Sequence, residues 1–223
     1  MSEEKKSSAE IALFENILEF NTRLDLLNSF LEEIPDFIQK NTSELSEIDV
    51  QKFGVYSQVG IAEAISKFMF EFENTLLKSF IVTLVIFLET EIGIYCDELK
   101  NQINVKETWE NVRGTTIERL IEYTTKKLGM KLSVSEELWK KIDYIITLRS
   151  CIISFSGRIE NFSSAKKIEN LSKIVKGMSI KDTSVILSKE FCEECVEIVR
   201  KFLENLYDDG LKAVNQFSVL NSI

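Results

Sequence analysis

The segment from Leu148 to Arg158 contains the residue types best suited to chemistry in this chain. It reads Leu-Arg-Ser-Cys-Ile-Ile-Ser-Phe-Ser-Gly-Arg. A guanidinium such as that of Arg149 can bind a phosphate or stabilise negative charge that develops in a transition state. The chain contains no histidine, so the usual side chain for proton transfer near neutral pH is missing. The segment therefore predicts an anion site that lacks ordinary general acid–base chemistry.

The lack of histidine excludes several other classes of site. Neither a Ser–His nor a Cys–His nucleophile pair can form, and no histidine can ligate a metal. Cys192 and Cys195 have zinc-like spacing, but they fall within a predicted amphipathic helix, and no second close cysteine pair completes a four-thiolate site. No phosphate-binding loop or dinucleotide fingerprint occurs. We therefore expect neither a metal nor a cofactor.

The charge of the chain is unevenly distributed. The formal net charge is −9, which argues against a general affinity for nucleic acid. Residues 140–182 nevertheless contain nine Lys or Arg and four Asp or Glu, a local charge of +5 that overlaps the Arg149 segment. Such a basic block is consistent with a solvated helix face and also with an anion-binding surface. Both interpretations stay open at this point.

Arg149 is predicted to lie at the centre of an apolar helix face. On a helical wheel, six apolar residues lie on the same side of the helix as Arg149: Leu138, Ile142, Ile145, Ile146, Ile152 and Ile153. A buried charge without a partner costs several kcal/mol, so the guanidinium needs an acidic partner, a bound anion or a solvated cleft. An ordinary buried ion pair and a functional site or interface both satisfy that need.

Glu89 is the acidic partner that the same reasoning selects. The apolar residues around it on a wheel are Val82, Val85, Ile86, Ile92 and Cys96. Two opposite charges within apolar helix faces are natural partners across a helix–helix contact. We therefore expect Glu89 and Arg149 to approach each other, either within one subunit or across a dimer.

The elements that must position these residues are predicted to be long helices, because the chain has one proline and eight glycines. We expect helices over residues 8–40, 58–102, 117–128, 136–155, 163–176 and 188–208, and a small β-hairpin over 178–187. Pro35 is expected to kink or divide the first helix, and Asn41 to Asp49 to form a loop. Gly210 is expected to close the last helix, before a tail to Ile223. No linker separates these elements, so the simplest prediction is one all-α domain.

The location of the chain is predicted to be cytoplasmic. The first ten residues are polar and charged, unlike a secretory signal, and the four cysteines form no disulfide pattern. The longest apolar run, from Phe80 to Leu88, is nine residues long, whereas a membrane helix needs about twenty. We therefore expect a buried core helix there and no membrane association.

The segment from 115 to 159 resembles the HEPN superfamily, in particular its RiboL-PSP-like branch from toxin–antitoxin and phage-defence loci. The family signature is arginine, a polar residue, three mostly apolar residues and histidine, often followed by Asn-x-Gly-Arg. Here the same frame begins at Arg149 and Ser150, has Ser154 in place of histidine, and ends at Gly157 and Arg158. Supporting similarities are Trp139, Ile117 to Arg119, Tyr123 and the acidic stretch from Glu89 to Cys96.

This resemblance covers roughly residues 58–208 and implies a fold. It implies a single HEPN-like helical bundle with two long antiparallel helices. Residues 1–57 would then be an N-terminal helical extension, residues 58–208 the family-like core, and residues 209–223 a tail. Family members join two subunits at a helical interface to form one composite site, so the resemblance also implies a homodimer.

The resemblance further implies a ribonuclease site that has degenerated. Family members resemble metal-independent endoribonucleases, in which the RNA 2′-hydroxyl attacks the adjacent phosphate, histidine moves protons and arginine stabilises the transition state. Arg149 would keep its electrostatic role, and Ser150 could still bind a phosphate or orient a neighbour. Ser154 cannot replace histidine, because its hydroxyl does not titrate near neutral pH. Positions 150, 154 and 155 depart together from the family pattern.

The function that follows is binding without standard catalysis. We expect a degenerate HEPN protein of a prokaryotic defence or toxin–antitoxin-like system that binds RNA, a nucleotide, or a protein partner from the same operon. Arg158, Lys166 and Lys167 are the predicted RNA-binding residues. One alternative is an active metal-independent endoribonuclease that uses Arg149 with Glu89. A second alternative is a purely structural helical dimerisation module.

Overall fold

The computed structural model describes residues 8–46, 58–103 and 105–220. The described residues form six α-helices and one two-stranded antiparallel hairpin. The helices are α1 (Ser8–Ser46), α2 (Gln58–Ile103), α3 (Thr116–Glu122), α4 (Glu136–Phe155), α5 (Ala165–Ile174) and α6 (Lys189–Leu220). The strands are β1 (Met178–Lys181) and β2 (Ser184–Leu187). The prediction of an all-α fold with a small hairpin near 178–187 is confirmed.

Helix α1 is longer than the sequence pattern predicted. It continues without interruption past Pro35 to Ser46, although a loop was expected from Asn41. The polar side chains in this stretch donate hydrogen bonds back to carbonyls of the preceding turn: Asn41 to Phe37, Thr42 to Ile38, and Ser43 to Gln39 and Lys40. Such bonds satisfy the side chains within a helix. The remainder of the expected loop, residues 47–49, lies outside the described residues.

Helix α6 also extends beyond its predicted end. Gly210 was expected to close it, but the helix runs on to Leu220. A Cβ added at Gly210 would lie 2.9 Å from the Tyr95 ring and 3.3 Å from Leu99. Glycine is therefore present because α2 approaches closely here, and it does not act as a helix cap. The described part of the stretch expected to be a tail is helical as far as Leu220, with Ala213 and Val214 buried.

The segment predicted as one helix over 117–128 has two parts. Helix α3 begins with a capping box, in which the Thr115 and Glu118 side chains satisfy each other's backbone amides. A π-helical turn follows over Tyr123–Lys127. Gly129 then ends the segment with φ +65°, as expected for a glycine C-cap.

The chain divides into two compact units that alternate along the sequence. Unit 1 comprises residues 1–25, 84–146 and 195–223, and unit 2 comprises residues 26–83 and 147–194. The expected division into an extension (1–57), a core (58–208) and a tail (209–223) cuts across both units. Glu89 belongs to unit 1, whereas Arg149 belongs to unit 2.

Unit 1 has a core that is rich in aromatic side chains. The Tyr207 ring stacks on Phe20 at a centroid distance of 5.4 Å and meets Tyr95 edge-on at 5.1 Å. Trp139 meets Phe202 edge-on at 4.9 Å. Aromatic pairs in these geometries add about 0.5–1.5 kcal/mol each beyond their burial. These contacts join segments that are far apart in the sequence.

Unit 2 is organised around the hairpin. Met178 pairs with Leu187 and Lys181 with Ser184, which places the turn at Asp182 and Thr183. The buried side chain of Asn74 in α2 binds the backbone of β2. Its Nδ2 donates to the Val185 carbonyl at 3.3 Å, and its Oδ1 accepts from the Leu187 backbone amide at 3.0 Å. A buried amide paired at both ends fixes the hairpin against α2.

Helix α2 has the length and composition of a membrane-crossing helix. The segment from Glu63 to Ile103 meets that test, and half of its most apolar window is buried inside the protein. The core helix of a soluble protein meets the same test, so this is weak evidence for a membrane. The expectation of a cytoplasmic protein without a membrane stays a prediction.

Candidate functional site

The end of α4 is shaped by two consecutive residues with positive φ. Ser156 has φ +55° and Gly157 has φ +81°. The Gly157 amide donates to the Cys151 carbonyl at 3.2 Å, which satisfies a carbonyl of the last helical turn. The Ser-Gly pair of the sequence motif therefore acts as the stop signal of the helix that carries Arg149.

The chain after α4 is fastened to the hairpin. The Val185 amide donates to the Gly157 carbonyl at 2.9 Å, and the Ile159 amide donates to the Thr183 carbonyl at 2.9 Å. The Cys151 thiol donates to the Arg158 carbonyl at 3.5 Å. The backbone at Arg158 is thus held from both sides, so the end of the motif is rigidly positioned within unit 2.

Lys78 of α2 is a functional candidate that the sequence analysis did not select. Its ammonium group donates to the Ser156 carbonyl at 3.1 Å. A cation is favoured at a helix C-terminus, where unpaired carbonyls carry partial negative charge. Burial lowers the pKa of Lys78, and nearby Cys151 partly opposes that shift. The signal in the sequence was a single lysine between Leu77 and the apolar run that begins at Phe80.

Cys151 is unsuited to act as a nucleophile. It is fully buried, and burial raises the pKa of its thiol despite the opposing effect of Lys78. A thiol whose pKa is raised is protonated near neutral pH and reacts slowly. Cys151 therefore contributes packing and a hydrogen bond at the end of α4.

Gly157→Ala is expected to destabilise the protein more than Gly129→Ala. Both glycines have positive φ, at +81° and +65°, so alanine costs about 1 kcal/mol of backbone strain at each. A Cβ at Gly157 would also lie 2.9 Å from Lys78 Nζ, whereas a Cβ at Gly129 would meet nothing within 4 Å. Displacing Lys78 loses its hydrogen bond, worth about another 1 kcal/mol. Urea unfolding of the two variants measures the difference, and equal losses would contradict the role given to Lys78.

Arg149 lies beside the buried stripe of α4, not at its centre. The buried residues of this helix are Leu138, Ile142, Ile145, Leu148 and Cys151. Arg149 and Ser150 are half-buried, and Ile153, which was expected on the same face as Arg149, is 56% exposed. The prediction that Arg149 lies at the centre of the apolar face of α4 is therefore wrong. Arg149 lies at the edge of the buried stripe, where the residue is half-buried and its Nε is inaccessible to solvent.

Ser154 and Phe155, near the end of the predicted motif, are both exposed. Ser154 is exposed at the last turn of α4, and Phe155 is 39% exposed. The Phe155 ring meets Phe162 edge-on at a centroid distance of 5.7 Å. Phe155 therefore has a packing role toward the segment that leads to α5. Ser154 has room around it but no titratable group.

The predicted RNA-binding residues lie after α4 in unit 2. Arg158 is exposed and pairs with Glu160 at 3.4 Å. Lys166 and Lys167 are in the first turn of α5, where Lys166 is exposed and Lys167 is half-buried. Unit 2 residues 147–182 hold seven Lys or Arg against three Asp or Glu. An excess of cations over acidic residues in such a segment favours the attraction of anions.

The acidic residue buried in the apolar face of α2 is Glu91, not Glu89. Glu91 is fully buried and pairs with Arg23 of α1 at 3.1 Å. Burial raises the pKa of Glu91, which Arg23 opposes and Glu19 reinforces. Glu89 is half-buried and accepts a hydrogen bond from Thr116 Oγ1 at 3.0 Å, at the start of α3. The expected approach of Glu89 to Arg149 stays a prediction.

The cysteine pair at 192 and 195 lies within α6, and both side chains are fully buried. Burial raises the pKa of Cys192, which disfavours the thiolate that a metal requires. Within the described residues, no three Cys, Asp or Glu side chains are grouped so that they could hold a metal ion.

Comparisons with protein-family models, with curated proteins and with solved structures gave no match to this chain. The function is therefore argued from the residues of the site.

Proposed function

We propose that this protein is a noncatalytic HEPN-like component of a prokaryotic defence or toxin–antitoxin-like system that binds the phosphates of RNA or a nucleotide. The observation that carries the proposal is the partial burial of Arg149 and the exposure of Ser154 on α4. Arg149 is half-buried beside the core stripe, and exposed Ser154 occupies the position of the family's histidine. The site keeps its anion-binding group and lacks a proton carrier.

The basic residues after α4 support an anionic ligand. The residues on either side of Arg158, Gly157 and Ile159, form backbone hydrogen bonds to the hairpin, and Lys78 adds a cation at the end of α4. A fixed backbone at these positions lowers the ordering cost of binding a phosphate, which is then limited to the side chains. The HEPN resemblance, the expected homodimer and a protein partner from the same operon belong to the same proposal.

The catalytic alternative has less support. It requires Glu89 to act as a base toward a substrate bound at Arg149. Glu89 accepts a hydrogen bond from Thr116 at the start of α3, so a polar residue at this position has a structural role that does not require catalysis. A noncatalytic role for Glu89 is therefore the simpler interpretation.

An RNA-cleavage assay tests the proposal. The wild-type protein, incubated with single-stranded RNA in EDTA, is expected to leave the RNA intact while retaining it in a filter-binding assay. Cleavage in EDTA that is abolished by Arg149→Ala and by Glu89→Gln would overturn the noncatalytic function in favour of the active alternative. If the protein neither cleaves RNA nor binds it at low salt, the phosphate-binding function is wrong and a structural module is the remaining function.

A further inference from the structure

The C-terminal half of α1 and the N-terminal half of α2 carry an exposed aromatic patch in unit 2. Phe30 and Phe37 of α1 are 51% and 49% exposed, and Phe68 of α2 is 58% exposed. Exposed phenylalanines grouped on two neighbouring helices are uncommon on a surface that has no partner. The patch is not part of the phosphate site proposed above, so the following inference goes beyond that function.

A cleft opens within this aromatic patch. It has a volume of about 190 Å³ and is lined by Phe30, Glu33, Ile34, Phe37, Phe72 and Leu76. The Phe72 ring lies 6.1 Å from Phe37 and 6.2 Å from Phe68, so the two helices form its walls together. Small-molecule sites usually measure about 300–1,000 Å³. The cleft is better matched to one large apolar side chain of a protein partner.

The charges around the patch select the kind of partner. Residues 30–46 and 63–76 contain seven Asp or Glu and two Lys. Glu33 lines the cleft, and Asp36 and Glu71, which are next to Phe37 and Phe72 in the sequence, are exposed. A second copy of this chain would bring the same acidic rim against its own, which is unfavourable. An anionic membrane surface would be repelled for the same reason.

We propose that the Phe30–Phe37–Phe72 cleft docks an amphipathic helix with a basic polar face, supplied by another protein. An apolar anchor of that helix fills the cleft, and its flanking Lys or Arg residues meet Glu33, Asp36 and Glu71. Helices recognised in grooves present apolar anchors at three- and four-residue spacing, and Phe30, Ile34 and Phe37 offer the complementary spacing on α1.

The test uses model peptides and the full chain. The probes are a helical Leu/Lys amphipathic peptide, a scrambled peptide of the same composition, and a Leu/Glu peptide of the same pattern. The wild type is expected to bind the Leu/Lys helix roughly tenfold more tightly than the scrambled peptide and to ignore the Leu/Glu helix. Phe37→Ser should abolish binding, whereas Ile174→Ser, which alters an equally exposed apolar residue at the end of α5, should not.

A second variant, in which two acidic residues near the cleft are changed to lysine, tests the proposal even if Phe37→Ser folds poorly. In Glu33→Lys/Asp36→Lys, the preference should invert, so that the Leu/Glu helix binds and the Leu/Lys helix does not. Equal binding of the helical and scrambled peptides, or no effect of charge reversal, would overturn the proposal. Self-association of the wild type that Phe37→Ser abolishes would assign the patch to a second copy, and binding to neutral lipid vesicles that the same change abolishes would assign it to a membrane. Either result would overturn the proposal.

Discussion

Arg23→Ala is expected to lower the free energy of unfolding by about 3 kcal/mol at neutral pH. The change would leave the Glu91 carboxylate fully buried without its cationic partner, now 3.1 Å away. The estimate is at the low end for a broken buried ion pair, because the Arg23 side chain is 39% exposed and water screens part of the interaction. Urea unfolding of both proteins measures the loss.

The other member of the pair should be far more tolerant. Glu91→Gln removes the charge that is expensive to bury and leaves Arg23 able to reach water, so we expect a loss of about 1 kcal/mol or less. The double variant Arg23→Ala/Glu91→Gln should recover much of the stability lost in Arg23→Ala. Lys140→Ala is a matched control, since it breaks an exposed pair with Glu136 and should cost under about 0.5 kcal/mol. Equal losses in Arg23→Ala and Glu91→Gln would contradict this account.

The pH dependence of Arg23→Ala follows from the pKa of Glu91. Burial raises that pKa in the folded protein, so the folded state binds the Glu91 proton more tightly than the unfolded state does. The penalty for burying the charged carboxylate is fully present above the raised pKa and disappears as the pH falls through it. Without Arg23 the pKa rises further. The stability lost in Arg23→Ala should therefore be smaller at about pH 5 than at about pH 7.5.

Ser154→His/Phe155→Asn is expected to raise the rate of RNA cleavage by about 10²–10⁴ over the wild type. The double variant places histidine and asparagine at the positions where the proposed HEPN-like frame would have them, and Ser154 is exposed, so an imidazole has room at the end of α4. Losing the Phe155–Phe162 ring contact should cost about 1 kcal/mol of stability, which leaves the variant folded. A fluorogenic RNA substrate in EDTA measures the gain.

The pH profile and a third substitution identify the source of that activity. Cleavage by the double variant should depend on a group that titrates near about pH 6.5, where histidine changes its charge. Adding Arg149→Ala should return the rate to that of the wild type, because the transition-state charge would lose its stabiliser. A folded double variant with no cleavage would mean that adding histidine to this frame does not create a ribonuclease, and the degenerate-ribonuclease proposal would fail.

Helix α4 could be predicted from its boundary residues. The Ser135 hydroxyl accepts a hydrogen bond from the Leu138 amide at 3.2 Å at its start, and Gly157 provides the positive φ at its end. Both signals are local, so the sequence carries them directly. The hairpin was predictable for the same reason, since Lys181-Asp182-Thr183 separates two short apolar runs.

The orientation of helix α2 could not be predicted in the same way. Its central part is apolar on every side, so a wheel does not reveal which face is buried. The wheel around Glu89 included Ile86, which is 50% exposed, and missed Glu91, which is fully buried. Glu91 can be buried because it pairs with Arg23, which lies far away in the sequence. Lys78 and Asn74 were missed for the same reason, because their partners at Ser156 and in β2 are distant along the chain.

The glycines were misjudged where packing determines their role. Gly157 and Gly129 have positive φ and end helical segments, as their sequence context predicts. Gly210 resembles a stop signal equally well, yet it lies inside α6 because the Tyr95 ring passes within 2.9 Å of a Cβ placed there. The sequence around a glycine does not distinguish a cap from a close contact.

The affinity for single-stranded RNA as a function of salt, in wild type and Arg149→Ala, tests the proposed phosphate site most directly. The proposal predicts binding that weakens steeply with salt, an affinity at least about tenfold lower in Arg149→Ala, and a salt slope smaller by about 0.7. Arg149→Lys should retain part of the affinity, since it keeps the charge but not the planar fork. Arg113→Ala, which removes an exposed arginine from unit 1, should match the wild type. Equal affinities of wild type and Arg149→Ala for RNA would contradict the account.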